Sequence, residues 1–132
     1  MPFDLSNKKI LLADDSTIMR MVISLHLKRF TGAAITEASN GQEALVKLTQ
    51  EKFDLLLTDI NMPEMNGIEA TRRIVSAHPD VVVFLCSTYD VEDLPPGAAD
   101  SGASAYVNKE RFGAETLRQL WADRDSGSFT AA

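Results

Sequence analysis

Asp59 closes the apolar run Leu55, Leu56 and Leu57, and a loop through Asn61 and Pro63 follows it to Asn66 and Gly67. A carboxylate at the carboxyl end of a buried strand stands where open α/β sheets bind their ligands. Taken alone, Asp59 reads equally well as a turn or helix-cap residue. Asp14 and Asp15 stand in the same way after the run 9–13, Ser87 ends the run 81–87, and Lys109 lies just beyond 105–107. Three carboxylates gathered in one cleft repel, and without compensation one of them is forced to hold a proton. A hard divalent cation removes that conflict, and Mg2+ prefers oxygen ligands in octahedral geometry. A carboxylate flanked by a metal, a hydroxyl and an ammonium suits an incoming phosphoryl group. Asp59 is then the nucleophile that forms an acyl phosphate, while Lys109 and the metal neutralise the equatorial oxygens.

The elements needed to bring these residues together can be read along the chain. Residues 9–13 form a buried strand, and Ser16 is an N-cap for a helix over 17–30. That helix carries two apolar stripes, one of Ile18, Met21, Val22 and Leu25, the other of Met19, Ile23, Leu27 and Phe30. It is either wedged between the sheet and a neighbouring helix, or part of the second stripe is a docking surface. A weaker strand over 34–38 leads to Asn40, which with Glu43 makes a capping-box-like start for a helix to about residue 50. A strand over 54–58, the loop, and a helix over 67–77 burying Ile68, Thr71 and Ile74 come next. His78 sits at the end of that helix and Pro79 stops it. Strands over 81–87 and 105–107 follow, and a helix over 111–121 presents Leu117, Leu120 and Trp121. Five strands alternating with helices imply a doubly wound parallel sheet of order 2-1-3-4-5, with right-handed crossovers. Strands one and three are then neighbours at the switch point, so Asp14, Asp15 and Asp59 converge.

Composition sets outer bounds. A chain of 132 residues makes one domain with a single core. Its net charge of −6 disfavours a nucleic-acid surface, which needs clustered Lys and Arg. The single cysteine, Cys86, lies in an apolar run and reads as a buried, inert thiol. His26 and His78 read as surface or capping residues, since neither has a partner at metal-ligand spacing. No apolar segment approaches the ~18 residues of a membrane span, and the start MPFDLSNKK lacks the apolar centre of a signal peptide. A cytoplasmic location is the expectation. The domain is placed at 1–122, with a flexible, frayed tail over 123–132.

With ILLADDS, LLLTDINMPEMNG, a strand ending in Ser87, and SGASAYVNK at these spacings, the chain resembles a receiver domain of two-component response regulators. The likeness covers about residues 8–122, with the flavodoxin-like fold, and is nearest in kind to stand-alone, chemotaxis-type regulators. The resemblance implies that Asp59 accepts phosphate from a histidine kinase or histidine phosphotransfer protein. It implies Mg2+ or Mn2+ held directly by Asp15 and Asp59, through the backbone carbonyl of Asn61, and through water by Asp14. It makes Lys109 the phosphate contact, and Ser87 and Tyr106 the two switch positions, a hydroxyl and an aromatic ring that respond to the phosphoryl group. Asn61 and Tyr89 match the positions flanking the attacking water's path, where a bulky Tyr89 implies slow dephosphorylation.

Two departures from the family pattern stand out. Lys109 is followed by Glu110 where the family commonly has a proline in a cis bond; a cis bond without proline costs roughly 2.5–4 kcal/mol, so the loop is either strained or trans. Pro95 and Pro96 fall where the helix between strands four and five belongs, so that helix is expected to be short, displaced to begin near them, or absent. Rival readings remain. A haloacid-type phosphohydrolase also uses an aspartyl phosphate and Mg2+, but it wants a second acid where Asn61 stands. A flavin or nucleotide carrier shares the topology, yet no glycine-rich phosphate loop is present. A phosphorylation-independent binding module has the same fold, and so does the receiver part of a longer DNA-binding regulator. The expectation is no enzyme acting on external substrate. If the sequence is the whole protein, output is expected through protein contacts, since no DNA-binding or enzymatic segment follows residue 122; if it is part of a longer one, the rest could be a DNA-binding effector.

Overall fold

The computed structural model describes residues 5–132. Residues 1–4, part of the expected domain and of the start that lacks a signal-peptide centre, lie outside the described residues. The elements run β1 (Lys9–Ala13), α1 (Thr17–Thr31), β2 (Ala34–Ala38), α2 (Gly41–Gln50), β3 (Leu55–Asp59), α3 (Gly67–Ala77), β4 (Val82–Ser87), β5 (Ala105–Asn108), α4 (Ala114–Ala122) and β6 (Thr130–Ala131). Two single 3-10 turns, Val91–Asp93 and Lys109–Arg111, follow β4 and β5. The sheet order is β2-β1-β3-β4-β5-β6 and every pairing is parallel.

Alternation along the strands divides the core into two layers. Leu11, Leu56, Val83, Leu85 and Tyr106 face Ala44 and Leu48 of α2 and Ile68 and Ile74 of α3. Ile10, Leu12, Leu57, Phe84 and Val107 face Ile23 and Leu27 of α1 and Leu117 and Leu120 of α4. Central strands buried on both sides have to be apolar throughout, which is why β3 and β4 are continuous runs. Truncating fully buried Phe84 to Ala would remove about 3–5 kcal/mol of stability. Cys86 is buried in the second layer, and burial pushes its thiol up to about 12.

The helix starts follow the sequence. Ser16 accepts from the Met19 amide, Asn40 from Glu43 and Asn66 from Glu69. The Glu43 carboxylate closes the box one residue early, accepting from the Ser39 amide and hydroxyl at 3.1 and 2.6 Å. His78 closes α3 through its backbone amide, and His26 stacks on Phe30.

Four expectations are corrected or resolved. The sheet has six strands where five were expected. Residues 130–132, placed in a frayed tail, pair with β5 because its outer edge otherwise leaves backbone groups unsatisfied. The last helix begins at Ala114, not 111, because residues 109–111 form the 3-10 turn and Gly113 is extended. On α1 the second stripe, Met19, Ile23, Leu27 and Phe30, packs on the core. It is the first stripe that stays open, with Ile18 74%, Met21 57%, Val22 41% and Leu25 65% exposed. Finally, no α-helix joins β4 to β5. After Pro95 and Pro96 the chain turns at Gly97, whose φ of +89° suits glycine and where a Cβ would meet the Arg72 guanidinium.

Candidate functional site

The switch point lies where β1 is flanked by β2 on one side and β3 on the other, and both functional strands end there. β1 delivers Asp14 and Asp15, and the register Ala13 opposite Thr58 sets Asp59 beside them. Asp14, Asp15 and Asp59 each offer a carboxylate oxygen within 4.8 Å of the others. Asp14 is 1% and Asp59 8% exposed, while Asp15 faces solvent.

Local folding fixes these acids. Asp14 Oδ1 accepts from the Ser16 amide at 2.8 Å, so the N-cap turn of α1 orients it. The Asp14 amide donates to Ala38 at the end of β2, 3.1 Å away. Arg20, one turn into α1, donates to the Asp14 carbonyl at 2.6 Å and pairs with Glu37. Asp59 Oδ1 accepts from the Ile60 amide at 2.8 Å. The loop that follows folds back tightly: the Gly67 amide donates to Ile60 O at 2.8 Å. A Cβ on Gly67 would lie 2.0 Å from the Asp59 carbonyl oxygen, so no larger residue fits there.

Lys109 reaches the cleft from the end of β5. Its Nζ lies 3.0 Å from Asp14 Oδ2 and 3.2 Å from Asp59 Oδ2, with the side chain 11% exposed. Burial pushes the Asp59 carboxyl up and the Asp14 charge adds to it, against the pull of Lys109. For Lys109, burial works against the charge, but the Asp14 hydrogen bond and the Asp59 charge outweigh it and its pKa is raised. The peptide bonds of the described residues are trans, including Lys109–Glu110. Asn108 makes that geometry self-consistent, its side chain accepting from the Glu110 amide at 2.8 Å to cap the turn 109–111.

The remaining sequence candidates flank this centre. Ser87 ends β4, buried and in register with Asn108 of β5. Tyr106 is fully buried, its hydroxyl donating to the Tyr89 carbonyl at 2.7 Å. Burial raises that phenol to about 12. Asn108 donates to the same carbonyl at 2.9 Å. Asn61 and Tyr89 meet side chain to side chain, the Asn61 amide 3.0 Å from the Tyr89 hydroxyl. The structure therefore gathers Asp14, Asp15, Asp59 and Lys109 into one cluster, with Ser87 at the neighbouring strand end. Asn61 and Tyr89 form a bridge beside it. Arg20 and Asn108 were not read from the sequence as site residues. Arg20 lies four residues after the N-cap serine, a spacing that returns it to the end of β1, and that was the available signal.

The response regulator receiver domain matches residues 10–121 of this chain. The gliding motility regulatory protein of Myxococcus xanthus is 39% identical over 115 residues, covering 84% of this chain but 14% of that protein. The chemotaxis protein CheY of Thermotoga maritima is 33% identical over 102 residues, covering 77% of this chain and 85% of its own. Among solved structures, the chemotaxis response regulator CheY4 of Vibrio cholerae superposes with a TM-score of 0.76 at 28% identity, covering 89% of this chain and 98% of that one.

Proposed function

The chain belongs to the response regulator receiver domains, and on that premise we propose that it is a signalling switch whose Asp59 takes a phosphoryl group from a histidine kinase or histidine phosphotransfer protein. The observation that carries this reading is the convergence of three carboxylates within 4.8 Å on a lysine bound to two of them. Asp59 Oδ attacks phosphorus while the bond from phosphorus to the donor histidine nitrogen breaks. The imidazole leaves with the electron pair and takes a proton from water.

The donor set is oxygen alone and anionic, which fits Mg2+ or Mn2+. Asp14, Asp15, Asp59 and the Asn61 carbonyl are the groups that would hold the ion, whose charge would offset the phosphoryl oxygens. Lys109 then turns from the carboxylates to the phosphoryl oxygens, and Ser87 donates to another. Tyr106, buried and bonded to the Tyr89 carbonyl, ties the segment after β4 to β5 and is the ring that responds when Asp59 is phosphorylated. The chain turns over no external substrate; it phosphorylates and dephosphorylates itself, in the cytoplasm where such donors act. The donor docks on the open stripe of Ile18, Met21, Val22 and Leu25, which lies on the helix that Ser16 starts beside Asp14 and Asp15. Among the described residues no helix is long and apolar enough to cross a membrane.

Intact mass after incubation with acetyl phosphate and Mg2+ tests the reading. One phosphoryl mass gained by the natural chain and not by Asp59→Asn is the expected result. Turnover without an adduct, or an adduct on both proteins, would overturn it.

A further inference from the structure

β5 would be an open sheet edge if residues 129–132 did not cover it. The Thr130 amide donates to Ser104 O at 3.1 Å, the Ala132 amide to Tyr106 O at 2.8 Å, and the Asn108 amide to Ala132 O at 2.8 Å. Side chains alternate across this added strand: Phe129 and Ala131 pack on the α2 and α3 layer, Ala132 on the α1 and α4 layer. The first of these layers is the one that lacks a helix between β4 and β5. There Leu94, Ala98 and Ala103 of the connecting segment share the cover with Phe129.

The cover is slight. β6 is two residues long and half-buried, and Phe129 before it follows four exposed residues, 125–128, with Gly127 at a φ of +81°. Strands this short hold only through their context and open at low cost. The backbone groups that bind it belong to Ser104, Tyr106 and Asn108, and the last two carry side chains that lead toward the cleft. Their side chains both donate to the Tyr89 carbonyl, and the Tyr89 hydroxyl bonds Asn61, two residues from Asp59. An unbroken series of hydrogen bonds therefore runs from the added strand to the rim of the acidic cleft.

We propose that the outer edge of β5 is a docking site for an extended segment of a protein partner, and that residues 129–132 hold it closed until Asp59 is phosphorylated. The partner strand runs parallel to β5, with an aromatic residue at the place of Phe129 and a small one at that of Ala131. It carries no proline at the places of Thr130 and Ala132, whose amides donate. Movement of Tyr89 on phosphorylation shifts Tyr106 and Asn108 and misaligns two of the three bonds that hold the cover. By reciprocity, loss of the cover favours the phosphorylated state. The dependence on phosphorylation rests on the proposed role of Asp59, whereas the docking edge stands on the strand geometry alone.

The test uses the full chain. Thr130→Pro removes one donor and the strand geometry without touching the acidic cleft; Phe129→Ala is the second variant should the first aggregate. The probe is a labelled synthetic peptide of residues 126–132, followed by amide shifts over 105–108. Saturable binding to the variant, and binding about tenfold weaker to the unmodified natural chain, is expected, because the tethered segment competes at high effective concentration. Beryllofluoride with Mg2+, a phosphoryl mimic, brings the natural chain's affinity up to the variant's and speeds exchange of the Asn108 amide. A folded variant that binds no peptide overturns the docking edge. Beryllofluoride seated at Asp59 by its fluorine signal, with Asn108 exchange unchanged, overturns the coupling. No uptake of beryllofluoride counts against the phosphoacceptor reading, while the peptide result on Thr130→Pro still decides the edge.

Discussion

The ammonium of Lys109 sits 3.2 Å from the Asp59 carboxylate, across 50 residues of sequence, and 3.0 Å from Asp14 at the same time. One cation thus offsets two buried acids that would otherwise repel. Lys109 removed alone leaves two carboxylates uncompensated in a site of low exposure, where that costs most, whereas loss of one acid leaves the ammonium still paired. The arrangement also means that an entering metal ion and Lys109 compete for the same oxygens.

That competition separates two effects in Lys109→Met. Without the ammonium the acidic cluster is more negative, so Mg2+ affinity rises, measured by fluorescence or calorimetric titration. The phosphoryl oxygens lose a donor, so the rate of labelling by acetyl phosphate falls by about 10²-fold. A labelling rate that holds steady would remove Lys109 from the chemistry.

The raised titration of Asp59 sets a second expectation. Its carboxyl holds its proton above the ordinary value of 3.8 in the folded state, so between those two points the folded chain binds more protons than the unfolded one. Stability then declines as pH rises through that window and stays reduced at neutral pH. Asp59→Asn removes the penalty, while Lys109 keeps Asp14. The variant should melt higher at pH 7 than the natural chain. The gain should shrink to nothing below pH 3.8. An equal gain at all pH values would mean that packing, not charge, is responsible.

Much of this was legible because buried parallel strands leave little freedom. Leu55 to Leu57 and the run through Phe84 read as central strands, so Asp59 and Ser87 at their carboxyl ends had to lie near the switch point. The open face of α1 was not legible. Both of its stripes are apolar, so the pattern alone did not show that Ile23 and Leu27 are the residues that pack on the sheet layer. β6 was hidden for another reason: Thr130 and Ala131 carry no apolar signal, and their strand exists because β5 needs an edge partner. The loss of a helix there was signalled by Pro95 and Pro96, since proline inside a helix removes a hydrogen bond and clashes with the preceding turn, although a short helix starting at them was equally compatible.

The open stripe on α1 makes a third prediction. Leu25 is 65% exposed, so Leu25→Glu leaves the fold and the cleft intact while placing a charge on the surface assigned to the donor. Transfer from a phosphorylated kinase or phosphotransfer protein should slow about tenfold or more, as for loss of a central apolar contact. Labelling by acetyl phosphate, which needs no docking, should keep its rate. Equal loss with both donors would mean that the substitution damages the cleft and that the stripe has another purpose.

The bridge between Asn61 and Tyr89 yields the last. The Asn61 amide and Tyr89 hydroxyl are 3.0 Å apart, and on the proposed role of Asp59 the ring would stand in the approach that a hydrolytic water needs. Tyr89→Ala opens that approach, and decay of the phosphorylated chain should quicken severalfold. Tyr89→Phe keeps the ring but breaks the bridge, so it separates bulk from anchoring. If bulk alone matters, the phenylalanine variant decays at the natural rate. If the bridge holds the ring in the proposed water path, its decay falls between the other two. Phosphate release from purified, pre-labelled protein measures all three, and an unchanged rate in Tyr89→Ala would refute the steric argument.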